Sequence, residues 1–401
     1  MHMQNFESSK FISKQCRSVC SLLRTRQAMP LWQQAKEAID LTLFVVTGVG
    51  IAQSFEILQV HAGPARYETF LLAWLGYTAQ CVVGGVAVAS SGAWRHCGSS
   101  ARWTRGMVAA IVGSAVLDGC AQAINYVAQL QGGIMLFTIF QSSVTLFVCL
   151  IAVCVLGTRL APLQWLGVSC IVLGLLLTSL PSPVVARRSF SVGVACSMLG
   201  SLFSAASYPV SELVFRLAPP GAPPAEELVC LLGSLLNAAV FTAWTLFYTL
   251  PRWDEAVLAP MRASLQPSAT WALAGYGLFA LFVGLHALFF WRSVGRLGSV
   301  PTAVSRGVQQ AGTFVCAHVF FCRVDPTECL WNNARGDRTD PPSLWSRWQK
   351  PAALASCCVG VAMFTIGRAR HRQSRSREGH VKLDAAALRT AASSTAFEAD
   401  I

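Results

Sequence analysis

Stretches of roughly twenty largely apolar residues, the length an α-helix needs to cross a hydrocarbon core, recur ten times in this chain. They fall at about 40–59, 68–90, 106–127, 132–155, 162–180, 190–213, 227–249, 269–290, 298–321 and 351–368. Inside a bilayer the backbone must satisfy its own N–H and C=O groups, so only helices and closed barrels span it. Unbroken apolar runs, rather than alternating ones, select helices. Composition agrees: 54% of the 401 residues are apolar and 12% are charged, against about 25% charged in a soluble domain. Connections are mostly short, which makes neighbouring helices antiparallel; the exception is the polar loop 322–350. The expected fold is an all-α membrane protein of about ten transmembrane helices.

The net charge of +12 would fit a nucleic-acid binder if it were gathered on one face. It lies instead at the two ends. Six basic residues precede residue 40 (Lys10, Lys14, Arg17, Arg24, Arg26, Lys36), and seven more run from Arg368 to Arg389. Basic residues beside apolar spans mark the cytosolic side, with attraction to anionic lipid as a second use; no nucleic-acid partner is expected. The reading is a basic cytosolic tail at 1–39, spans from 40 to 368, and a second basic tail at 369–401. Residues 1–39 lack the apolar core and cleavage site of a signal peptide, and their basic, acid-poor composition also fits an organellar presequence. Most of the fifteen cysteines lie within apolar runs, where cysteine acts as a small hydrophobe. Cys322 and Cys329 are the pair open to a disulfide.

Ten spans divide into five and five, at 40–180 and 190–368. Two related halves with an odd number of spans insert with opposite topology, giving two inverted five-helix repeats. Polar residues inside the spans point the same way, because a polar group at bilayer depth faces a cavity or another helix. Asp118, Gln122, Asn125 and Gln129 follow i, i+4, i+7, i+11 spacing, one helical face. Thr138, Gln141, Ser142 and Thr145 form a second stripe, and Arg306, Gln309, Gln310 and Thr313 repeat its spacing in the ninth span. Ser201, Ser204, Tyr208, Ser211 and Glu212 form a fourth, and Gln53 and Glu56 close the first span. Such residues also hydrogen-bond helices together, so packing competes with cavity lining at each. Arg306 lies too deep to reach water easily and needs an acceptor: Asp118, Glu212 or an anionic substrate. Six tryptophans near span ends (Trp94, Trp103, Trp165, Trp253, Trp271, Trp291) read as interfacial aromatics.

Motifs for soluble chemistry are missing. There is no Walker GxxxxGK[ST] and no HExxH pair, and Gly48 and Gly50 in VTGVGIA lack the third glycine and strand of a dinucleotide site, which leaves close helix packing. No enzyme, cofactor or metal is expected.

The segment LDGCAQAINYVAQLQGGIMLFTIFQSSVTLFVCLIAVCVLGTRLAPLQWLGVSCIVLGLLLTSL (117–180) resembles spans 3 to 5 of the drug/metabolite transporter superfamily. The likeness is to its EamA-like, solute carrier branch related to nucleotide-sugar transporters, with chloroquine-resistance-transporter-like proteins as a near alternative. It is carried by Asp118, Tyr126, the LGTRL turn (Leu156, Gly157, Arg159, Leu160), Gln164-Trp165-Leu166-Gly167 and Gly174, and more weakly by Glu212, Thr302 and Arg306. The resemblance implies ten helices in inverted halves around a cavity exposed alternately to each side. The chain departs from the family at Gln141, near which relatives carry a basic residue, and in the length of loop 322–350. The expected function is a multi-pass transporter of a small polar or anionic, nucleotide-sugar-like metabolite. Its pathway residues would be Asp118, Gln122, Asn125, Gln141, Thr145, Tyr208, Glu212, Arg306, Gln309 and Gln310, with Asp118 or Glu212 open to proton coupling. A carrier of organic cations or amino-acid-like solutes, or a non-transporting scaffold, is the alternative; an endomembrane or plasma-membrane address and a homodimer stay open.

Overall fold

The computed structural model describes residues 31–62, 65–93, 103–132, 134–177, 190–219, 222–264, 267–321 and 351–371. Each predicted stretch overlies a helix: α1 (Leu31–His61), α2 (Leu71–Ser91), α3 (Arg105–Gly132), α4 (Ile134–Leu156), α5 (Pro162–Leu177), α6 (Phe190–Arg216), α7 (Glu226–Trp244), α8 (Ala269–Leu297), α9 (Ser299–Phe321) and α10 (Pro351–His371). Among the described residues, seven helices (α1, α2, α3, α6, α7, α8 and α10) are long and apolar enough to cross a membrane, and none of the described residues is in a strand. The chain is an all-α, integral, multi-pass membrane protein. The described parts of α4 and α5 form shorter apolar helices, and the polar stripe of α9 keeps it outside that set. Loop 322–350, the Cys322/Cys329 pair, most of both basic tails and the side chains of Gln129, Thr138 and Ser142 lie outside the described residues.

The described residues between 40 and 366 form one compact unit, and the described parts of the flanks, 31–39 and 367–371, belong to a second. The helix packing that shapes the bundle belongs to the first unit. Local chemistry sets the helix ends. α4 stops at Gly157, whose φ of +63° lies in the left-handed region that favours glycine. Five residues later Pro162 opens α5, where its missing N–H costs nothing, and Gln164 accepts the Ala161 N–H at 2.8 Å, the return half of a capping box. The LGTRLAPLQ string is thus a stop followed by a start. α7 runs past its predicted end at 249 through π and 3-10 turns to Arg262. This extension is tied to the α1–α2 connection by Trp244 Nε1 to the Glu68 carbonyl (2.8 Å), Thr249 Oγ1 to the Thr69 carbonyl (2.9 Å) and an exposed Arg66–Glu255 ion pair (2.6 Å).

Helix pairing is specific. α6 packs along α3 and α4, α2 against α7 and α8, α3 against α7, α4 against α5, and α9 crosses α4. α1 lies on α8, where Leu58 fills the place of a Cβ at Gly275, and on α9, where Gln53 Nε2 donates to the Thr313 carbonyl at 3.3 Å. α10 lies on α9, Val361 facing Gly307, and on α5 through glycine. A Cβ on Gly167 would stand 2.6 Å from the Gly360 carbonyl oxygen and one on Gly360 2.5 Å from that of Gly167, while Gly174 faces the Ala353 carbonyl at 2.8 Å. Where lipid offers no hydrophobic drive, such backbone approach is what holds helices together.

At the Asp40 end the helix termini are locked by charge. The acidic first turn of α7 meets the basic last turn of the antiparallel α8, as both helix dipoles favour. Arg292 pairs with Glu227 (2.6 Å), and Arg296 pairs with Glu226 (3.1 Å) and with Asp40. Beside this cluster Glu212 of α6 accepts both the backbone N–H and the hydroxyl of Ser299 at 2.6 Å, and Nε of Arg216 at 2.8 Å. Glu212 therefore caps α9 from a neighbouring helix. Losing a cap costs about 0.5–2 kcal/mol. We expect Glu212→Ala to lower the thermal midpoint in detergent, with Glu212→Gln intermediate, because an amide oxygen still accepts but without charge.

Candidate functional site

Polar residues of the α3, α6 and α9 stripes, with Gln141 of α4, meet at a cavity of about 410 Å³ in the middle of the bundle. Its described lining comes from α1 to α4 and α6 to α9, and from neither α5 nor α10. Of the residues predicted from sequence, Asp118, Gln122, Asn125, Gln141, Tyr208, Arg306, Gln309 and Gln310 line it, as do Glu56, Ser204, Ser211 and Thr313. The lining stops short of the ion pairs at the Asp40 end.

Two predicted residues lie elsewhere. Thr145 is buried in the α4–α9 crossing, its hydroxyl donating to the Ala303 carbonyl at 3.1 Å. Glu212 is outside the lining, spent on capping α9 and pairing with Arg216. Both do the hydrogen-bonding between helices that competes with cavity lining for any polar residue in a span.

Arg306 is the one Arg or Lys in the described lining. Its guanidinium lies over the Tyr208 ring, 5.1 Å from the centroid, and Nη1 donates to Gln141 Oε1 at a long 3.4 Å. Nε has no hydrogen-bond partner. The expected Arg306–Asp118 ion pair does not form among the described residues: Asp118 Oδ2 instead accepts the Tyr77 hydroxyl at 2.7 Å. Gln141 thus accepts from the arginine opposite. Gln309 packs its amide against Gly48 of α1, in the space a Cβ would need, with Oε1 unbonded. Gly48 and Gly50 permit close packing, as expected, Gly50 making room for Phe282.

Several lining residues were not read from the sequence. His286 stacks on Phe44 (centroids 4.2 Å apart), and its Nδ1 is 3.0 Å from the Phe44 carbonyl. A carbonyl only accepts, so Nδ1 carries the hydrogen, and in the neutral ring Nε2 is left as an acceptor. Tyr77, Gln80, Ser234 and Asn237 bring α2 and α7 to the wall; Ser234 donates to Gln80 (3.0 Å) and Asn237 to the Ala115 carbonyl (2.9 Å). Trp291, expected at the interface, is instead buried beside Phe290 and lines the cavity, whereas Trp253 and Trp271 are exposed. Pro209 sits within α6 next to Tyr208 and cannot donate to the carbonyl one turn back, which loosens the helix at the cavity wall.

One arginine, two carboxylates, amides and hydroxyls converge with Phe55, Phe279, Phe290 and Trp291, the mix of apolar wall and few placed polar groups found in small-molecule sites. Among the described residues no three His, Cys, Asp or Glu side chains group as metal ligands would.

No family model matches the chain, and no curated protein does. The chain is similar in fold to solved structures: 28 chains match. One, a crystal structure described only as that of a protein, superposes with a TM-score of 0.55 over 83% of this chain and 97% of its own length, at 16% sequence identity. At that identity the likeness is one of fold.

Proposed function

We propose that this chain is a carrier of the drug/metabolite transporter type, moving a small polar or anionic metabolite by alternating access. Its ten helices would form two inverted five-helix repeats with both termini cytosolic. The observation that carries the reading is the central cavity on which polar residues of α3, α6 and α9 converge with Gln141 of α4. A scaffold has no use for it, whereas a carrier needs a site at mid-depth between its halves.

Helix pairing supports the repeat. Adding five to each helix number turns α3–α6 into α8–α1, α4–α6 into α9–α1, α2–α8 into α7–α3 and α4–α5 into α9–α10, and all of these contacts are present. The same operation maps α2–α7, α4–α9 and α5–α10 onto themselves, and these also touch. The ion pairs and the Glu212–Ser299 bond at the Asp40 end would be the closed side of one state. Of the two acids open to proton coupling, Asp118 and Glu212, it is Asp118 that lines the cavity.

Uptake by vesicles containing the purified chain tests this, with nucleotide sugars, amino-acid-like solutes and organic cations as competing probes. Concentrative or exchange uptake of any of these classes that chain-free vesicles lack supports a carrier. Uptake of organic cations alone would favour the second reading, in which Asp118 and Glu56 hold the cargo. Removing residues 370–401 is expected to leave the flux of a carrier largely intact; loss of function there with no flux in the full chain would instead indicate a scaffold.

A further inference from the structure

We propose that the solute this cavity takes is zwitterionic, its anionic group meeting Arg306 and its ammonium group meeting Asp118; the proposal rests on the carrier reading. Arg306 and Asp118 line one cavity, with opposite charges, yet do not pair. Attraction between them in a medium of low dielectric is strong, and a purely structural pair would close to contact. Each is instead held by other groups, Arg306 by the Tyr208 ring and Gln141, Asp118 by the Tyr77 hydroxyl.

Each charge also keeps unused valence. The Arg306 Nε has no partner, and Nη2 makes no hydrogen bond among the described residues. Asp118 Oδ1 makes none either, its partner oxygen alone being engaged. The unbonded Gln309 Oε1 and the His286 Nε2 add acceptors suited to an N–H donor. An anion beside the arginine and an ammonium beside the aspartate would satisfy both sets at once, with Phe279, Phe290 and Trp291 enclosing the rest of the molecule.

The charges also exclude other solutes. A nucleotide diphosphate would meet one guanidinium and the carboxylates of Asp118 and Glu56, so one of its two charges would be buried uncompensated, as would Arg306 beside a simple organic cation. Both are costly, and such mismatches are how a site rejects the wrong partner.

The test uses the full chain in vesicles with labelled probes of one shape and different charge: L-leucine and the dipeptide glycyl-L-leucine as zwitterions at two charge spacings, N-acetyl-L-leucine as anion and L-leucinamide as cation. UDP-glucose and tetraethylammonium complete the set. The proposal expects at least one zwitterion to be taken up about tenfold or more faster than both single-charge analogues. Arg306→Gln should erase its advantage over the amide, and Asp118→Asn its advantage over the N-acetyl form. If UDP-glucose or tetraethylammonium is transported and neither zwitterion is, the zwitterion assignment falls and the carrier stands. If both variants slow all four leucine probes equally, the residues are structural and the assignment falls. If no probe enters, both readings fail.

Discussion

Arg306→Ala is expected to abolish uptake while leaving the protein folded. The guanidinium is the cavity's one cation from Arg or Lys among the described residues. Truncating one side of a buried charge contact costs about 2–5 kcal/mol, which at about 1.4 kcal/mol per decade corresponds to a loss of roughly thirtyfold to several thousandfold. Stability should move little or rise. Within the protein the arginine gains only the face of Tyr208 and a long bond to Gln141, poor compensation for a charge inside a membrane. Arg306→Lys keeps the charge and loses the planar fork, so partial uptake is expected. Initial uptake rate and the thermal midpoint of the same preparations check this; an arginine that mattered for folding would lose both together.

The second large effect concerns the frame. Gly167→Leu should strongly destabilise the protein, because the atoms it meets are backbone, the Gly360 carbonyl at 2.6 Å and the Phe364 nitrogen at 2.7 Å. Neither can rotate aside. Overpacking costs about 1–3 kcal/mol where side chains can adjust, and more is expected where two helix backbones must part. Gly360→Leu should match it. Gly85→Leu in α2 is the control, since nothing lies within 4 Å of a Cβ there. Thermal midpoints of the three variants in detergent measure the difference; equal losses at Gly167 and Gly85 would show that the α5–α10 crossing is not what is being broken.

The helices were legible because a bilayer demands long apolar runs, and each predicted run overlies a helix. The stripes of α3 and α9 were legible because several polar residues share one helical phase. Isolated polar residues were not: His286 stands alone in the run LFVGLHALFFW, and Tyr77, Gln80 and Asn237 have too few polar companions to mark a face. Glu212 and Thr145 are on polar stripes yet spend their hydrogen bonds between helices, because a stripe shows direction and depth but not which neighbour lies opposite. The same limit explains the LGTRLAPLQWLG string, whose residues stop one helix, start the next and let α10 approach at Gly167. The string is therefore made of helix-end and packing residues, and none of its described residues lines the cavity.

Counterflow tests the central claim most directly. Vesicles containing the purified chain are loaded with a high concentration of an unlabelled transported solute and diluted into a trace of the labelled form. A carrier with one site reached alternately from each side exchanges the two, so a transient overshoot of label inside is expected, absent from Arg306→Ala vesicles. Label that only relaxes to equilibrium without overshoot, or an overshoot unchanged in Arg306→Ala, would contradict a carrier built on this cavity.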